Sequence, residues 1–255
     1  MCGSSGLANP VPLRWVYAAG SSPPDRGVFV ERLLRRNRRL RAIPGTRASY
    51  SNLGYFVLGE LIARVSGVSY EKYVRKQLLS PLRMVCTGFE YGDTGSHRPA
   101  TGYQQLPNGL TPLLRAALPA GIVANRLGRY VAYHQFYVIG APYGGLVGGV
   151  ADAARLALLH LGGGVVDGVR MLPAQVVADM RRISSRGGPI DFGLGWYRPR
   201  GRPAPPTFVE HLGGGGGFFA IMRLYPDRNV GVVMMANTTR YDHEAILNKI
   251  MNIAW

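Results

Sequence analysis

The sequence is poor in cysteine and lysine and has no long hydrophobic run. Among 255 residues, Cys2 and Cys86 are the only cysteines, which excludes a small fold stapled by disulfides. Neither lies in a Cys-x-x-Cys pair or beside histidines, so we predict no metal site, and no cofactor motif is found. No uncharged apolar run approaches the roughly 18 residues of a membrane span, so no transmembrane segment is predicted.

The visible start of the chain lacks the basic and apolar regions of an export signal. Localisation therefore stays open between the cytoplasm and, if a missing N-terminus carries a signal, the periplasm or the exterior. Hydrophobic residues make up 47% of the chain, enough for a sizeable core, which excludes wholesale disorder. We interpret residues 1–255 as a single domain.

Positive charge dominates the composition. Lys+Arg number 30 against 14 Asp+Glu, a formal net charge of +16. Only three of the cations are lysines, and most arginines are scattered, which makes a nucleic-acid partner a minor hypothesis. One cluster stands out within a predicted helix at residues 28–41. It contains Arg32, Arg35, Arg36, Arg38, Arg39 and Arg41, around Val30, Leu33, Leu34 and Leu40. Such a helix can meet anionic lipid or RNA, or simply present a solvated face.

Apolar periodicity predicts helices in the first two thirds of the chain. A uniformly apolar helix, Leu53–Val65, should be buried, with Asn52 as N-cap, a Glu60–Arg64 ion pair and Gly67 as terminator. Further helices are predicted from Ser69, over Asp152–Leu161 and from Pro173.

After Gly188 the pattern changes to short β-rich segments separated by turn residues. The predicted strands are Phe192–Tyr197, Thr207–Leu212, Phe218–Tyr225 and Val230–Ala236, followed by a helix over about Asp242–Ile253. Helices first and a meander last predict an α+β fold, an antiparallel sheet flanked by helices. A mainly helical lobe covers about 28–185, and the sheet with the terminal helix covers about 188–255.

Two short segments carry candidate chemistry. Tyr50 and Asn52 precede the predicted buried helix. Tyr50 can act as a general base if a nearby cation lowers its pKa from about 10. Asn52 can hold a substrate amide, although capping alone explains it. His211 ends a predicted strand before a glycine run, Gly213–Gly217. The Gly214 N–H can donate to an oxyanion, Gly213 lets substrate lie against the strand edge, and His211 adds a donor or a positive charge for a substrate carboxylate. A flexible hairpin turn is the alternative.

A series of motifs in a fixed order extends this pattern over nearly the whole chain. It comprises Ser4-Ser5-Gly6-Leu7, Pro44-Gly45-Thr46, Tyr50-Ser51-Asn52, Ser66-Gly67-Val68-Ser69-Tyr70, Ser80-Pro81-Leu82, Tyr143-Gly144-Gly145-Leu146, Phe192-Gly193-Leu194-Gly195-Trp196 and His211-Leu212-Gly213. The series resembles the β-lactamase-related serine hydrolases, a family that includes class C β-lactamases, DD-peptidases and esterases. The resemblance implies the β-lactamase/transpeptidase-like fold. It also implies hydrolysis of amide or ester bonds through an acyl-enzyme.

The chain departs from this family at the nucleophile. The family's Ser-x-x-Lys lies upstream of the Ser-Gly-Leu loop, which places it before Met1, so the resemblance implies an N-terminally truncated domain. The one Ser-x-x-Lys in the chain, Ser69 to Lys72, follows Tyr50 and opens an amphipathic helix. We expect Ser69 to be an N-cap rather than the nucleophile. Leu212 stands where a small or hydroxylated residue is usual.

Three hypotheses follow. The first is a serine hydrolase by descent, with little activity in this chain alone, acting on a small-molecule or peptide acyl substrate such as a β-lactam, a D-amino peptide or an ester. The second is a non-catalytic pseudoenzyme or binding module that retains the pocket. The third is a basic protein that binds nucleic acid or anionic membranes through residues 32–41.

Overall fold

The computed structural model describes residues 3–94, 98–201 and 207–253. The helices are α1 (Arg26–Arg36), α2 (Asn52–Ser66), α3 (Tyr70–Val74), α4 (Thr111–Ala117), α5 (Ala141–Gly144), α6 (Val150–Leu161), α7 (Ala174–Arg181) and α8 (His243–Met251). The strands are β1 (Val16–Ala18), β2 (Tyr103–Gln105), β3 (Val123–Leu127), β4 (Tyr130–Tyr133), β5 (Phe136–Val138), β6 (Val165–Val166), β7 (Val169–Arg170), β8 (Ser185–Arg186), β9 (Ile190–Phe192), β10 (Tyr197–Pro199), β11 (Val209–Gly215), β12 (Phe218–Tyr225) and β13 (Val230–Ala236).

The main sheet is a six-stranded antiparallel meander in the order β13-β12-β11-β10-β9-β8. β12 and β13 begin and end at the predicted residues, whereas β11 runs from Val209 to Gly215 instead of Thr207 to Leu212. The α+β architecture predicted from the order of patterns is confirmed.

Both faces of the main sheet are covered by helices. On β12, Ile221 and Tyr225 pack with Leu247 of α8, while Leu224 packs with Ala157 of α6 on the opposite face. Residues of unlike parity on a strand point to opposite faces, so the apolar run of β12 serves two cores at once. Each fully buried side chain of this kind contributes roughly 1.5–3 kcal/mol.

A second core made of aromatic rings holds α1 and α2 together. Trp15 meets the rings of Phe29, Phe56 and Tyr143 edge-on, at centroid distances of 6.0, 6.4 and 5.3 Å. Edge-to-face pairs at these distances add about 0.5–1.5 kcal/mol each to the burial of the rings. This cluster fixes the direction in which α2 points at the main sheet.

Helix α1 is shorter than the predicted helix over 28–41. Its N-cap is Asp25, and it ends at Asn37, whose side-chain amide donates to the Leu33 carbonyl at 2.9 Å. The Leu33 carbonyl also accepts the Asn37 N–H at 3.0 Å, so the backbone and the side chain of Asn37 together close the last turn. Of the apolar residues among the arginines, Leu33 is buried, whereas Leu34 and Leu40 are exposed.

Helix α2 corrects three details of its prediction. Ser51, rather than Asn52, is the N-cap, and Glu60 pairs with Arg26 at 2.6 Å instead of with Arg64. The helix is buried only in its first half, since Val65 is 81% exposed. Periodicity could not reveal which half of an apolar helix finds a packing partner. Gly67 does end the helix in the left-handed conformation, as predicted.

The predicted strand Phe192–Tyr197 is two strands joined by a tight turn. Phe192 of β9 lies opposite Tyr197 of β10, and the Gly193 N–H donates to the Trp196 carbonyl at 2.7 Å. Gly195 has a φ of +83°, a conformation that a side chain would disfavour. The two glycines therefore turn the chain back instead of extending it.

The predicted helical lobe also contains strands. β2, β4 and β3 form a three-stranded sheet, β1 pairs with β5, and β6 pairs with β7.

At the remaining helix starts, Pro173 is the N-cap of α7 rather than its first residue, and Asp242 is the N-cap of α8. Across the part of the chain that the structure describes, no helix has the length and apolarity needed to cross a membrane.

Candidate active site

A cleft lies between the N-terminus of α2 and the β9–β11 end of the main sheet. It is lined by Gly3, Ser5, Tyr50, Ser51, Gly54, Tyr55, Leu58, Phe192, Gly193, Gly195, Trp196, Tyr197 and His211. Two of the predicted site residues, Tyr50 and His211, meet here with ring centroids 6.2 Å apart. The tertiary fold thus joins the two segments that the sequence marked separately.

His211 is held as a neutral imidazole. Its Nδ1 lies 2.6 Å from the Gly195 carbonyl oxygen, which can only accept, so Nδ1 carries the proton. Burial lowers the pKa of His211 below its ordinary value of 6.5. The positive charge expected for a substrate carboxylate is therefore absent at neutral pH. The imidazole instead offers a lone pair on Nε2.

Tyr50 is held as a neutral phenol. Burial raises the pKa of Tyr50 above its ordinary value of 10. The cation expected to lower it is missing, since no lysine or arginine is among the described residues that line the cleft. With this environment the phenol is a hydrogen-bond donor at neutral pH, not a ready general base.

The edge of β11 presents backbone N–H groups on its β10 side, although Gly213 and Gly214 are not among the residues lining the cleft. The Leu212 N–H donates to the Tyr197 hydroxyl at 2.7 Å, so it points toward the β10 side. N–H groups of alternate residues point the same way, which directs the Gly214 N–H to that edge as well. β10 pairs with β11 only through Tyr197 and Glu210. Gly213 and Gly214 are exposed there.

The Tyr50–Asn52 segment is fixed by Ser51. The Ser51 hydroxyl donates to the Ala8 carbonyl at 2.9 Å and accepts from the Gly54 N–H at 3.0 Å. Asn52 is the first residue of α2 and is not among the residues lining the cleft; its N–H donates to the Asn9 side chain at 3.0 Å. Its role toward substrate stays a prediction.

Ser69 lies away from the cleft. Its hydroxyl accepts from the Lys72 N–H at 3.2 Å and caps α3, as predicted, and the residue is exposed. A nucleophile must reach the same substrate carbonyl as the oxyanion donor, and Ser69 lines no part of the cleft.

Two site residues were missed from the sequence. Tyr197 contacts the His211 ring at 5.3 Å and accepts the Leu212 N–H, and Trp196 forms one wall of the cleft. Both follow the Phe-Gly-Leu-Gly motif, so recognising its glycines as a turn would have pointed to them. Among the described residues, no group of three or more His, Cys, Asp or Glu side chains could hold a metal ion.

Comparison with known proteins supports the resemblance seen in the motifs. The family model described as Beta-lactamase matches residues 4–251, nearly the whole chain. The chain belongs to the beta-lactamase family. This assignment accounts for the order of motifs along the chain and for the cleft in which Tyr50 and His211 meet.

Two curated relatives of this beta-lactamase-family chain are named as a carboxypeptidase/endopeptidase and a penicillin-binding protein. It is 27% identical over 208 residues to the D-alanyl-D-alanine-carboxypeptidase/endopeptidase AmpH of Escherichia coli (strain K12), covering 80% of this chain and 49% of the relative. It is 28% identical over 205 residues to penicillin-binding protein 4 of Amycolatopsis lactamdurans, covering 76% and 48%. The chain thus spans about half the length of these relatives.

The fold is also that of a solved amidase structure. The D-amino acid amidase from Ochrobactrum anthropi SV3, complexed with L-phenylalanine, superposes with a TM-score of 0.73 at 18% identity. The superposition covers 98% of this chain and 71% of the amidase chain. At this identity the likeness establishes the fold alone.

Proposed function

We propose that the cleft is the acyl-substrate site of a serine hydrolase that cleaves amide or ester bonds through an acyl-enzyme. One observation carries the proposal: the rings of Tyr50 and His211, which come from distant segments of the chain, meet in one cleft with their centroids 6.2 Å apart. The name of the carboxypeptidase relative supports amide chemistry as the reaction class.

Each group has a role that its protonation state allows. The Gly214 N–H donates to the carbonyl oxygen where negative charge develops. The Tyr50 hydroxyl donates to the substrate or to its leaving group, and the His211 Nε2 accepts a hydrogen bond from a substrate N–H or O–H. Gly213 keeps the strand edge open for an extended substrate, and Asn52 is the candidate partner for a substrate amide.

The charge of the cleft favours an uncharged substrate end. The described lining holds no lysine or arginine, and burial keeps His211 neutral. A carboxylate placed there would lose its hydration without gaining a cation, which costs more than a neutral amide or ester loses. We therefore favour neutral esters and amides over substrates held by a free carboxylate.

This chain by itself should bind without turnover. Its Ser-x-x-Lys segment caps α3, outside the cleft, so no serine of that motif faces Tyr50 and His211. The remaining groups provide recognition and one oxyanion donor but no motif nucleophile.

Calorimetric titration of the full chain with phenylacetamide and phenylacetate tests the substrate preference. At pH 8 we expect the amide to bind on the order of tenfold more tightly, because the carboxylate is desolvated without a partner. Protonation of His211 occurs below its ordinary pKa of 6.5, so the difference should shrink only as the pH falls below that value. Tighter binding of phenylacetate at pH 8 would contradict the proposal.

Tyr50→Phe and Tyr73→Phe form a matched pair for the same titration. Removing the Tyr50 hydroxyl should weaken the binding of phenylacetamide about 2- to 10-fold, which corresponds to the loss of one hydrogen bond. Tyr73 is 37% exposed on α3 and does not line the cleft, so its variant should bind like the unchanged protein. Equal effects of the two substitutions would show that the ligand binds elsewhere.

The second candidate function is a non-catalytic binding module. It is favoured by the placement of Ser69 at a helix cap outside the cleft. A fluorophosphonate probe separates the two candidates: it labels an activated serine outside the Ser-x-x-Lys motif if this chain supplies its own nucleophile, whereas a binding module takes up none. A labelled serine in the intact chain, mapped by mass spectrometry, would exclude the binding module, and absence of label with retained phenylacetamide binding would favour it.

A further inference from the structure

The densest group of cations in the molecule is fully on its surface. Seven arginines are exposed along the outer face of α1 and the segment that follows it: Arg32, Arg35, Arg36, Arg38, Arg39, Arg41 and Arg47. We call these residues, with the apolar side chains between them, the basic surface. Residues 32–47 contain no acidic side chain, and Glu31 pairs with Arg35 at 2.6 Å. Within the described chain, the other six arginines form no ion pair.

Large apolar side chains protrude between these arginines. Leu34 is 38% exposed, Leu40 is 49% exposed and Ile43 is 74% exposed. A surface that binds only phosphates gains nothing from exposed leucine and isoleucine. Arginines at headgroup level with apolar side chains reaching the acyl boundary are the arrangement that suits a bilayer interface.

The other face of α1 is already occupied. Phe29, Val30 and Leu33 pack into the aromatic core around Trp15 and Phe56. The helix therefore cannot roll its inner face into a bilayer without breaking that core. Contact is limited to the outer face and to residues 38–47, which makes the attachment peripheral.

The basic surface adjoins the cleft through the backbone. The Arg41 N–H donates to the Gly6 carbonyl at 2.7 Å, and the Ser49 N–H donates to the Gly3 carbonyl at 2.7 Å. Gly3 and Ser5 line the cleft. A surface that binds residues 38–47 thus lies next to the segment that forms one wall of the cleft.

We propose that the basic surface docks this chain on an anionic lipid bilayer, with its arginines on headgroup phosphates and Leu34, Leu40 and Ile43 in the interface. Charge complementarity supplies most of the attraction, and the apolar side chains distinguish a bilayer from other polyanions. The proposal is independent of the acyl chemistry of the cleft.

Vesicle sedimentation with the full chain tests the docking. The lipids are phosphatidylcholine alone and phosphatidylcholine with 30% phosphatidylglycerol. We expect binding to the anionic vesicles only, weakening as salt is raised. Arg32→Gln, Arg35→Gln and Arg36→Gln together should lower the partition coefficient on the order of 100-fold, since each arginine near the surface contributes about fivefold.

The matched control removes the same charge elsewhere. Arg64, Arg228 and Arg240 are exposed, lie outside the basic surface and form no ion pair within the described residues, so changing all three to Gln should leave vesicle binding within about threefold of the unchanged protein. Equal losses in the two triple variants would overturn the proposal, because net charge rather than the basic surface would then be responsible.

A second variant separates a bilayer from a nucleic acid. Leu40→Ser with Ile43→Ser should weaken binding to anionic vesicles about tenfold or more while leaving the net charge at its original value. Tighter binding to a 20-base-pair DNA duplex than to vesicles at the same salt, unaffected by this double variant, would assign the basic surface to nucleic acid and overturn the proposal. Binding to neither anionic vesicles nor DNA would overturn it as well.

Discussion

The cleft and the basic surface are joined by one segment of chain but differ in their content of cationic side chains. Residues 41–49 connect them, yet the described cleft lining has no lysine or arginine, while the basic surface has seven exposed arginines. Exposure is the reason for the difference. A solvated guanidinium needs no partner, whereas an unpaired charge in a buried cleft would lose its hydration. The net charge of +16 therefore gives no information about the charge at the site.

The interior behind the cleft extends this comparison, because a buried charged network there gives its arginine two carboxylate partners. Arg223 of β12 is 2% exposed and contacts Glu210 at 2.6 Å and Glu244 at 2.8 Å. Its guanidinium also lies 4.2 Å from the Phe208 ring centroid. Glu210 directly precedes His211 on β11, so this network supports the strand that carries the site.

Removing the central member of that network should have the largest effect on stability. Arg223→Met leaves Glu210 buried without its cation, and we expect a loss of about 3–5 kcal/mol in the free energy of unfolding, measured by urea titration. Adding Glu210→Met to the variant should recover part of the loss. The exposed Arg228→Gln serves as control and should stay within about 0.5 kcal/mol. A loss below about 1 kcal/mol for Arg223→Met would mean that the buried charges are not mutually dependent.

The second prediction concerns a buried imidazole next to the cleft. His160 is 3% exposed, its Nδ1 has no hydrogen-bond partner, and its ring lies 4.8 Å from Trp196. Burial, with a smaller contribution from Arg181, lowers the pKa of His160 from 6.5 to about 4. The unfolded chain takes up this proton as the pH falls below about 6.5, whereas the folded chain stays neutral until about pH 4.

The stability that His160 contributes as a neutral group is therefore complete above pH 6.5 and is lost as the pH falls toward 4. One pKa unit corresponds to about 1.4 kcal/mol. Between pH 7 and pH 5, the free energy of unfolding of His160→Phe should therefore fall by about 2 kcal/mol less than that of the unchanged protein. Urea titrations at the two pH values measure this difference. His134→Gln, at an exposed position, should follow the unchanged profile. An unchanged pH dependence in His160→Phe would show that another group controls acid sensitivity.

The smallest effects separate two serine caps, one at the cleft and one outside it. Ser69→Ala removes the cap of α3 and should lower the free energy of unfolding by about 1 kcal/mol. Ser51→Ala removes the cap of α2 and also leaves the buried Ala8 carbonyl without its donor, so we expect about 2 kcal/mol. Only Ser51→Ala should weaken phenylacetamide binding, because Ser51 positions the segment that holds Tyr50. Weakening by Ser69→Ala would contradict the location of the site.

The strands of the main sheet could be predicted closely because their signal is local. β12 and β13 match the predicted ranges since their alternation is bounded by Gly217 and by the turn at Asp227 and Asn229. The prediction of one continuous strand through Gly195 was wrong because a glycine in a turn and a glycine in a strand cannot be distinguished in a pattern of apolar residues. The predicted end of α1 was wrong for a related reason. Arginine and leucine continue the helical pattern past Asn37, although the Asn37 side chain bonds to the last turn and the helix ends there.

The sequence by itself indicated the family and the α+β order of elements, because motifs and periodicity are properties of neighbouring residues. It also marked Tyr50 and His211, which both line the cleft. Only the tertiary structure decided how those residues behave. Burial between α2 and the main sheet raises the pKa of Tyr50 and lowers the pKa of His211, which keeps both side chains neutral. Exposure on the outer face of α1 and in the segment after it keeps the arginines of the basic surface solvated, and only Arg35 has an ion-pair partner among the described residues. Both outcomes depend on solvent access, which is a property of packing and cannot be read from the order of residues.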